Sequence, residues 1–381
     1  MYLMHRDKVA AEVEVDHKNR PIGIKTIIDE NEMPIGVFSR NKQTMNLLFD
    51  SWLKSRSVPE ARPNLQQIEK KLGKAQSDFF MQNAGVSLTD GYFFSENKNA
   101  ILWKDINFHN NGFDETFLQI KLDLWKKGIK SPDFTTDGMM EKFWTNNNGT
   151  PYLIKMDNIH HDLLCANEVF YFHAAQMLKI NAVPYFHGEF SEKKDGKQVK
   201  YCTCPSFVVS PNEDFVNALQ VRHAESNLSN GKSLILYFKN ELGFDKEIRE
   251  MLTLDCILHN TDRHEKNFGY IKSINGEIRM ASLYDNGTCL GVNNIFNENI
   301  TDKDMKLLRD SRYGILRMFG MPVSLDEQML ISDLQETYEL FDIEEKFFQK
   351  AVLELKKGIE IYQQAIDGNK IIIGEKQNGK K

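Results

Sequence analysis

The stretch from His259 to Tyr270, HNTDRHEKNFGY, lies between apolar residues at helical spacing and a predicted β-hairpin, and this constrains the fold around it. After it, Phe268 to Ile271 predicts a short strand, Asn275-Gly276 is a strong two-residue hairpin signal, and Glu277 to Leu283 predicts the returning strand. Before it, apolar residues recur at helical spacing, namely Phe244, Ile248, Met251, Leu252 and Cys256. The fold must therefore connect a packed helix, a polar loop and a hairpin in direct succession.

The loop itself carries one carboxylate, Asp262, and an amide, Asn267, five positions later. A phosphotransferase catalytic loop has this spacing: the Asp accepts the proton of the substrate hydroxyl, and the Asn supplies an oxygen to Mg²⁺. Between them, Arg263 is expected to pair with a carboxylate. His264 is expected to be a core histidine that holds the loop, in preference to a direct proton-transfer role.

The returning strand ends on Tyr284-Asp285-Asn286-Gly287. Because a hairpin brings its two ends together, the amide of Asn267 and the carboxylate of Asp285 are expected to share a cation close to Asp262. Two hard oxygen ligands together with nucleotide phosphates suit Mg²⁺, which keeps several waters of its own. The pattern therefore predicts a magnesium site with Asn267 and Asp285 as protein ligands.

Upstream, turn and periodicity signals between residues 131 and 212 predict the order strand, strand, helix, strand, strand. The segments are Glu141–Thr145, Pro151–Met156, Asp162–Ile180, Val183–Phe186 and Val199–Val209. This order is that of a kinase small lobe, in which a strand lysine reaches the phosphates and a helix glutamate holds that lysine. Lys155 and Glu168 fit these roles. Taken alone, this pair would fit a surface lysine on an edge strand and a solvated glutamate better than the kinase roles.

A phosphate-covering loop would have to precede the first of these strands, where the sequence reads TTDGMMEK from Thr135 to Lys142. It contains one glycine, Gly138, although a loop whose N–H groups approach phosphate closely benefits from more than one. A plain turn is therefore an equally good interpretation of these residues.

The flanking regions are less specific. Residues 1–128 predict short strands, including one at Ile35 to Phe38, a helix over Met45 to Leu53, and no defined role. Their aromatic residues are expected to be packing between this region and the next, in preference to a binding face; they are Tyr92, Phe93, Phe94, Trp103, Phe108 and Phe113. From about Phe215 onward helical patterns prevail.

The predicted organisation is an accessory α/β region over residues 1–128, a β-rich small lobe over 129–212, a helical large lobe over 213–372, and a basic tail over 373–381. The net charge of −6 argues against a broad nucleic-acid-binding surface, so no direct nucleic-acid binding is expected. The five cysteines form an odd set without paired spacing, which favours reduced thiols. A charged N-terminus and short apolar runs predict a cytoplasmic protein that makes no contact with a membrane.

The residues NTDRHEKNFGY with YDNG downstream, YLIK ending near Lys155, and the helix containing Asn167-Glu168 resemble the HipA-like serine/threonine kinases of bacteria. The Asp-Arg-His plus Asn pattern is also similar, at a distance, to phosphatidylinositol 3- and 4-kinases. The resemblance covers about residues 131 to 300 and implies a bilobal α+β protein-kinase-like fold that uses ATP and Mg²⁺.

By this resemblance Asp262 is the catalytic base, Asn267 and Asp285 hold Mg²⁺, Lys155 binds the phosphates of ATP, and Glu168 positions the lysine. It also assigns nucleotide contacts to three more residues, Gly138 and Lys142 of the covering loop and Val208 of the hinge strand CPSFVVS.

The implied substrate is a protein with a serine or threonine hydroxyl. Family members can phosphorylate their own nucleotide loop, and the nearest hydroxyls here are Thr135 and Thr136. Many relatives are toxins paired with an antitoxin and others are effectors, so an antitoxin or other regulatory partner is compatible with the resemblance. The hinge strand and the first ~130 residues depart from the family pattern, so substrate choice and regulation stay open.

Two alternatives remain. A lipid kinase would need a basic, apolar-flanked segment after Asp285, and residues 286–302 contain no Lys or Arg. A non-catalytic nucleotide-binding module would be expected to have lost Asp262 or a metal ligand, and all of these residues are present.

Overall fold

A computed structural model of the chain describes residues 1–60, 62, 65–72, 78–98, 101–115, 130–157, 160, 162–194, 197–225, 228, 231–292 and 316–378. The strands are β1 (Tyr2–His5), β2 (Lys8–Val15), β3 (Pro21–Ile27), β4 (Tyr92–Ser95), β5 (Glu141–Asn147), β6 (Thr150–Met156), β7 (Phe186–Lys194), β8 (Lys197–Pro205), β9 (Glu213–Asn217), β10 (Gly269–Ser273) and β11 (Ile278–Met280).

The α-helices are α1 (Lys42–Lys54), α2 (Leu65–Leu72), α3 (Trp103–Ile106), α4 (Phe108–Asn111), α5 (Leu163–Met177), α6 (Ala218–Ala224), α7 (Gly231–Asn240), α8 (Asp245–Ile257), α9 (Glu327–Leu340) and α10 (Glu345–Asn378). The predicted α+β class is therefore confirmed.

The chain divides into two compact units. Unit 1 consists of Met1–Met156, Thr203–Ser229 and Gly269–Ala281, and unit 2 consists of Asp157–Cys202, Asn230–Phe268 and Ser282–Lys381. The boundaries predicted after residues 128 and 212 do not coincide with the borders of these units. The assignment of lobes to residue ranges stays a prediction.

Unit 1 begins with an antiparallel sheet in the order β3-β2-β1-β4. Successive side chains of a strand point to opposite faces, and both faces of this sheet are buried. Leu3 and Phe94 lie in a cluster with Phe49 and Trp52 of α1. The neighbouring residues Met4 and Phe93 lie in a second cluster with the aromatic side chains of Trp103, Phe108 and Trp144. The predicted aromatic residues are thus packing residues, as expected.

Trp144 belongs to the β5–β6 hairpin, whose strands contain the predicted segments Glu141–Thr145 and Pro151–Met156. Antiparallel pairing runs from Glu141 opposite Met156 to Asn147 opposite Thr150. The turn residue Asn148 has a φ of 52° and Gly149 a φ of 87°, the left-handed values that an Asn-Gly turn accommodates. The shared cluster with Trp103 and Phe93 joins the hairpin to the N-terminal sheet inside unit 1.

A second sheet of unit 1, in the order β11-β10-β9, corrects the expectation that helices prevail from Phe215 onward. Strand β9 pairs with β10 over Glu213 to Asn217. Its buried positions are Asp214 and Val216, which is the period-two pattern of a strand. The buried Asp214 carboxylate accepts two hydrogen bonds from Arg6, so its burial depends on a partner 208 residues away in the sequence.

Unit 2 contains the helices α5 and α7 to α10, among which α8 delivers the chain to the polar loop. The predicted apolar stripe of α8 is buried at Ile248, Met251 and Cys256. The last helix, α10, crosses the end of α8 very closely at Gly358, where an added Cβ would lie 2.0 Å from the carbonyl oxygen of Ile257. A glycine at this position therefore sets how closely α10 approaches the start of the loop.

One smaller expectation is wrong. Residues 35–38, predicted as a strand, form turns after Pro34, and Gly36 there has a φ of 82°. The helix α10 extends to Asn378, into the residues predicted as a basic tail. None of the helices in the described ranges combines the length and the apolar character needed to cross a bilayer.

Candidate active site

The loop begins at His259, whose φ of 51° ends α8. Its side chain is buried, and its Nδ1 lies 2.5 Å from Oε2 of Glu354 on α10. Burial works to raise the pKa of Glu354, but hydrogen bonds from His259 and Lys357 outweigh it and hold that pKa at about 2. The first residue of the loop is thus fastened to the last helix by a charged, buried contact.

Arg263 organises the loop from within. Its side chain is 8% exposed, and its Nε and Nη2 donate to the two oxygens of Asp255 on α8, at 2.9 and 3.0 Å. The same carboxylate accepts hydrogen bonds from the Tyr171 hydroxyl and the Asn260 amide. Burial by itself would lower the pKa of Arg263, but Asp255 raises it, so the guanidinium keeps its charge. The prediction that Arg263 pairs with a carboxylate is confirmed.

The remaining donor of Arg263 joins the two stretches that carry the predicted metal ligands. Its Nη1 donates to the carbonyl oxygen of Asn267 at 2.6 Å and to that of Tyr284 at 3.0 Å. The backbone of Asn267 and that of the residue before Asp285 are therefore held on one guanidinium. The structure brings these two residues together, as the hairpin argument expected.

Asp262 and Asn267 are also directly connected. The side-chain amide of Asn267 donates to the backbone oxygen of Asp262 at 3.0 Å, so its Oδ1 is the atom left for another ligand. The Asp262 side chain is 45% exposed. His264 is 51% exposed with Nε2 3.9 Å from Asp262 Oδ1, so the expectation of a core histidine at 264 is wrong. The buried histidine of the loop is His259.

Burial raises the pKa of the Asp262 carboxyl. The negative charge of Asp285 raises it further, while His264 and Arg263 act in the opposite direction. The effect of Asp285 on Asp262 requires the two carboxylates to lie near each other. A cation bound at Asp285 would cancel this repulsion and favour the ionised form of Asp262, which is the form a general base needs.

The turn that contains Asp285 is held by α5. Asp285 has a φ of 57°, which is uncommon for a residue with a side chain. The buried Glu168 carboxylate accepts the N–H of Asn286 at 2.8 Å, and the Asn167 amide donates to the carbonyls of Gly287 and Cys289. Glu168 thus positions this turn. Its predicted pairing with Lys155 stays a prediction.

The covering-loop residues and the predicted phosphate-binding lysine lie together in unit 1. Lys142 and Lys155 are directly opposite each other on the β5–β6 hairpin, on the same face, and both are buried. Like charges in this arrangement repel, so an anion bound beside them would be stabilised. Gly138 adjoins Lys142, since a Cβ added at Gly138 would lie 2.2 Å from its Nζ. Gly138, Lys142 and Lys155 are therefore brought together.

The two candidate phosphorylation sites differ in exposure. Thr135 is 6% exposed, and its hydroxyl donates to the carbonyl oxygens of Val86 and Pro132. Thr136 is only partly buried; its hydroxyl donates to Pro132 O and accepts a hydrogen bond from Trp144 Nε1. Thr136 is therefore the more accessible of the two hydroxyls.

Val208, the predicted hinge contact, is buried in a cluster with Ile271 and Ala281. Its carbonyl oxygen accepts a hydrogen bond from the Ser206 hydroxyl at 2.8 Å. These contacts place Val208 in the apolar core of unit 1. A contact with a nucleotide stays a prediction.

The donor atoms of unit 2 fit Mg²⁺ better than a transition metal. Asn267 Oδ1 and the Asp285 carboxylate are hard oxygen donors, and a magnesium ion uses few protein ligands beside phosphate and water. Within the described ranges, no group of three or more His, Cys, Asp or Glu side chains is arranged to hold a metal. A magnesium ion here would therefore depend on the nucleotide phosphates for part of its coordination.

Sequence reasoning did not identify the residues that hold the site together, Asp255, Tyr171 and the His259–Glu354 pair. One signal was present, because Asp255 interrupts an otherwise apolar stretch of α8, Leu254-Asp255-Cys256-Ile257. A buried carboxylate at such a position needs a charged partner. Which residue supplies the charge could not be derived from spacing.

A crystal structure of the Helicobacter pylori proinflammatory kinase CtkA is similar to 60% of this chain and 96% of that chain, with 15% sequence identity and a TM-score of 0.40. No curated protein matches the sequence. Residues 134–313 match the model of the HipA-like C-terminal domain, a range that contains the predicted catalytic base, metal ligands and lysines. The chain therefore contains, over residues 134–313, a segment that matches the HipA-like C-terminal domain.

Proposed function

We propose that this protein is an ATP-dependent protein kinase that transfers the γ-phosphoryl group to a serine or threonine hydroxyl. The observation that carries the proposal is the arrangement in unit 2. One buried guanidinium, Arg263, bonds the backbone of Asn267 and of Tyr284, the residue before Asp285, and the charge of Asp285 raises the pKa of Asp262. A base and two oxygen ligands at this spacing are the minimum set for phosphoryl transfer.

Asp262 accepts the proton of the attacking hydroxyl. Its partial exposure allows a substrate hydroxyl to reach the carboxylate, and the buried network behind it keeps the loop in place. Phosphoryl transfer needs little covalent participation by the protein, so most of the rate comes from positioning and charge stabilisation. Arg263 and Asp255 supply that positioning in unit 2.

Asn267 Oδ1 and the carboxylate of Asp285 would hold Mg²⁺. When bound, the ion neutralises charge on the phosphate oxygens. The protein's own part is to keep both oxygens in place, through the Nη1 bonds of Arg263 and through the bond from the Asn286 N–H to Glu168.

Lys155 and Lys142 bind the phosphates of ATP. The support for this role is their cross-strand position on the β5–β6 hairpin and the glycine next to Lys142. The proposed roles of Gly138 as part of the covering loop and of Val208 as a hinge contact follow the same assignment. We also propose that the two lobes of a kinase fold account for the β-rich and helical parts of the chain.

The proposed acceptor is a protein hydroxyl, because residues 286–302 contain no Lys or Arg to attract an anionic lipid headgroup. Thr136, as the more accessible hydroxyl near Gly138, is the proposed site of self-phosphorylation. The same proposal includes an antitoxin or other regulatory partner and a cytoplasmic location.

The test is transfer of label from ATP labelled at the γ position, using the purified protein alone, with cell lysate, and with phosphatidylinositol vesicles. Asp262→Asn is expected to abolish transfer and to leave Mg–ATP binding, measured by titration calorimetry, close to that of the wild type. Asp342→Asn is the matched control, since Asp342 is 82% exposed and pairs with Lys200 away from the loop.

Equal transfer by wild type and Asp262→Asn would contradict the assignment of the base. Label in the lipid and none in protein would favour a lipid kinase. A wild-type protein that binds Mg–ATP tightly and transfers no label to any acceptor would favour a non-catalytic nucleotide-binding module.

A further inference from the structure

Arg62 lies 74 residues before the covering loop in the sequence, and it contacts that loop directly. Its Nε donates to the carbonyl oxygen of Gly138 at 3.1 Å, and its Nη2 donates to the carbonyl oxygen of Thr136. The planar guanidinium thereby bonds the carbonyl oxygens at both ends of the turn, residues 136 and 138. The guanidinium makes these two bonds from separate nitrogens held in a fixed planar geometry, which the freely rotating ammonium group of a lysine does not provide.

The environment of Arg62 is buried and charged. Arg62 is 3% exposed. Burial lowers the pKa of its guanidinium to about 10, although the negative charges of Asp133, Asp137 and Glu141 act to raise it. The guanidinium is therefore protonated at neutral pH. A buried cation held next to backbone carbonyls fixes the loop firmly, because leaving either side without its bond would be costly.

The bonds to Arg62 also determine which way the N–H groups of the loop point. In a trans peptide the C=O of one residue and the N–H of the next point in opposite directions. Because Arg62 holds the oxygens of Thr136 and Gly138, the N–H groups of Asp137 and Met139 point away from it. Backbone N–H groups that face one side of a turn can donate to an anion there, and the N–H of Gly138 between them is bonded to Oδ1 of Asp137.

A second anchor holds the same segment. Trp144 donates its backbone N–H to the Asp133 carboxylate and its indole Nε1–H to the Thr136 hydroxyl. Strand β5 therefore holds the same segment whose carbonyl oxygens bond to Arg62. Lys142, on the same strand, brings its ammonium group against Gly138. The loop thus has a fixed backbone and an adjacent cation.

We propose that Arg62 is a positioning residue for a nucleoside triphosphate: it orients the 136–138 turn so that the turn's N–H groups, with Lys142, receive the phosphates. The inference rests on the proposed function, since it assigns ATP phosphates to this loop. It gives the N-terminal region, whose role the sequence left open, a part in nucleotide binding.

The experiment compares Arg62→Gln and Arg62→Lys with the wild type and with Arg56→Gln. Arg56 is a matched control, because it is also buried in unit 1, donates to the carbonyls of Gly85 and Tyr92, and pairs with Asp90. Three quantities are measured for each protein: the Kd for ATP, the Kd for adenosine, and the melting temperature. Hydrogen exchange of residues 133–140 is followed with and without ATP.

Arg62→Gln is expected to raise the Kd for ATP about tenfold, which corresponds to about 1.4 kcal/mol, and to leave the Kd for adenosine unchanged. Arg62→Lys is expected to recover only part of the ATP affinity, because an ammonium group lacks the fixed planar fork that meets the two carbonyls from separate nitrogens. Exchange in residues 133–140 should become faster in both variants. Arg56→Gln should lower the melting temperature without changing the Kd for ATP.

The inference is overturned if a folded Arg62 variant binds ATP as tightly as the wild type, or if ATP and adenosine lose affinity equally. If Arg62→Gln does not fold, the Arg62→Lys variant decides by the same comparison. If the wild-type protein binds no ATP at all, both the proposed function and the role of Arg62 are refuted. If the wild type binds ATP and the Arg62 substitution leaves that binding unchanged, only the role of Arg62 is refuted.

Discussion

Replacing Arg263 by Gln tests whether one buried guanidinium holds the candidate site together. Glutamine keeps part of the length and polarity of the side chain and removes the charge. The substitution breaks the two bonds to Asp255, at 2.9 and 3.0 Å, and the bonds to the carbonyls of Asn267 and Tyr284. Asp255, whose side chain is 7% exposed, would then be a buried carboxylate without its cation.

The expected cost follows from that burial. Removing one partner of a buried ion pair typically costs about 3–5 kcal/mol, because the remaining charge is left without compensation. The hydroxyl of Tyr171 and the amide of Asn260 still donate to Asp255, which places the expected loss for Arg263→Gln at about 3 kcal/mol. Domains of ordinary stability have about 5–15 kcal/mol in total, so the variant should fold but unfold at much lower denaturant.

The assay is urea unfolding at 20 °C of the wild type, Arg263→Gln, Asp255→Asn and the double variant. This cycle isolates the coupling between the two side chains, which is expected to be about 2 kcal/mol or more. The control pair is Arg249 and Asp245 on the same helix, α8, where the side chains are 31% and 50% exposed. An exposed pair four residues apart should show a coupling of about 0.5 kcal/mol or less.

Equal coupling energies in the two cycles would refute the reasoning, because they would mean that burial of Asp255 adds nothing. A second readout separates stability from function. At a temperature where Arg263→Gln is fully folded, it should still lose Mg²⁺-dependent ATP affinity, since Asn267 and Asp285 are no longer held on a common donor. Unchanged metal dependence would contradict the role assigned to Arg263.

Three further predictions concern pH and packing. Hydrogen bonds lower the pKa of Glu354 from 4.5 to about 2, against the effect of burial, so the stability it contributes is present above pH 4.5 and is lost as the pH falls towards 2. In urea unfolding across this pH range, Glu354→Gln should not show that loss of stability. Parallel curves of stability against pH for the variant and the wild type would contradict this prediction. Burial and the charge of Asp285 both raise the pKa of Asp262, so Asp285→Asn should lower the Asp262 pKa in a carboxyl NMR titration, and no change would show that the two carboxylates do not interact. Gly358→Ala should destabilise the protein by about 1–3 kcal/mol in urea unfolding, because its Cβ would meet the last carbonyls of α8, and a neutral effect would mean that the two helices separate at no cost.

Much of the candidate site could be predicted because its signals are local. The stripe of α8, the polar loop and the Asn-Gly turn each depend on residues a few positions apart, where periodicity and turn chemistry act. A hairpin also fixes what lies at its two ends. The approach of the Asn267 backbone to the residue before Asp285 therefore followed from the chain order, and so did the β5–β6 hairpin that carries Lys155.

The errors came from residues whose partners are distant. Spacing suggested a core role for His264, but the buried histidine is His259, because Glu354 on the last helix lies where His259 points. Strand β9 was hidden in a region that looked helical, since its buried Asp214 is compensated by Arg6 near the N-terminus. A sequence window contains neither partner.

The sequence by itself was enough to propose the chemistry of the candidate site: one base, two oxygen ligands for magnesium and the lysines for phosphate, at spacings that local backbone geometry favours. Only the tertiary structure decided what holds those groups in place. Arg62 reaches the covering loop across 74 residues, and Glu168 reaches the N–H of Asn286 across 118. Such contacts depend on which faces of packed elements meet, and burial then makes each one costly to break.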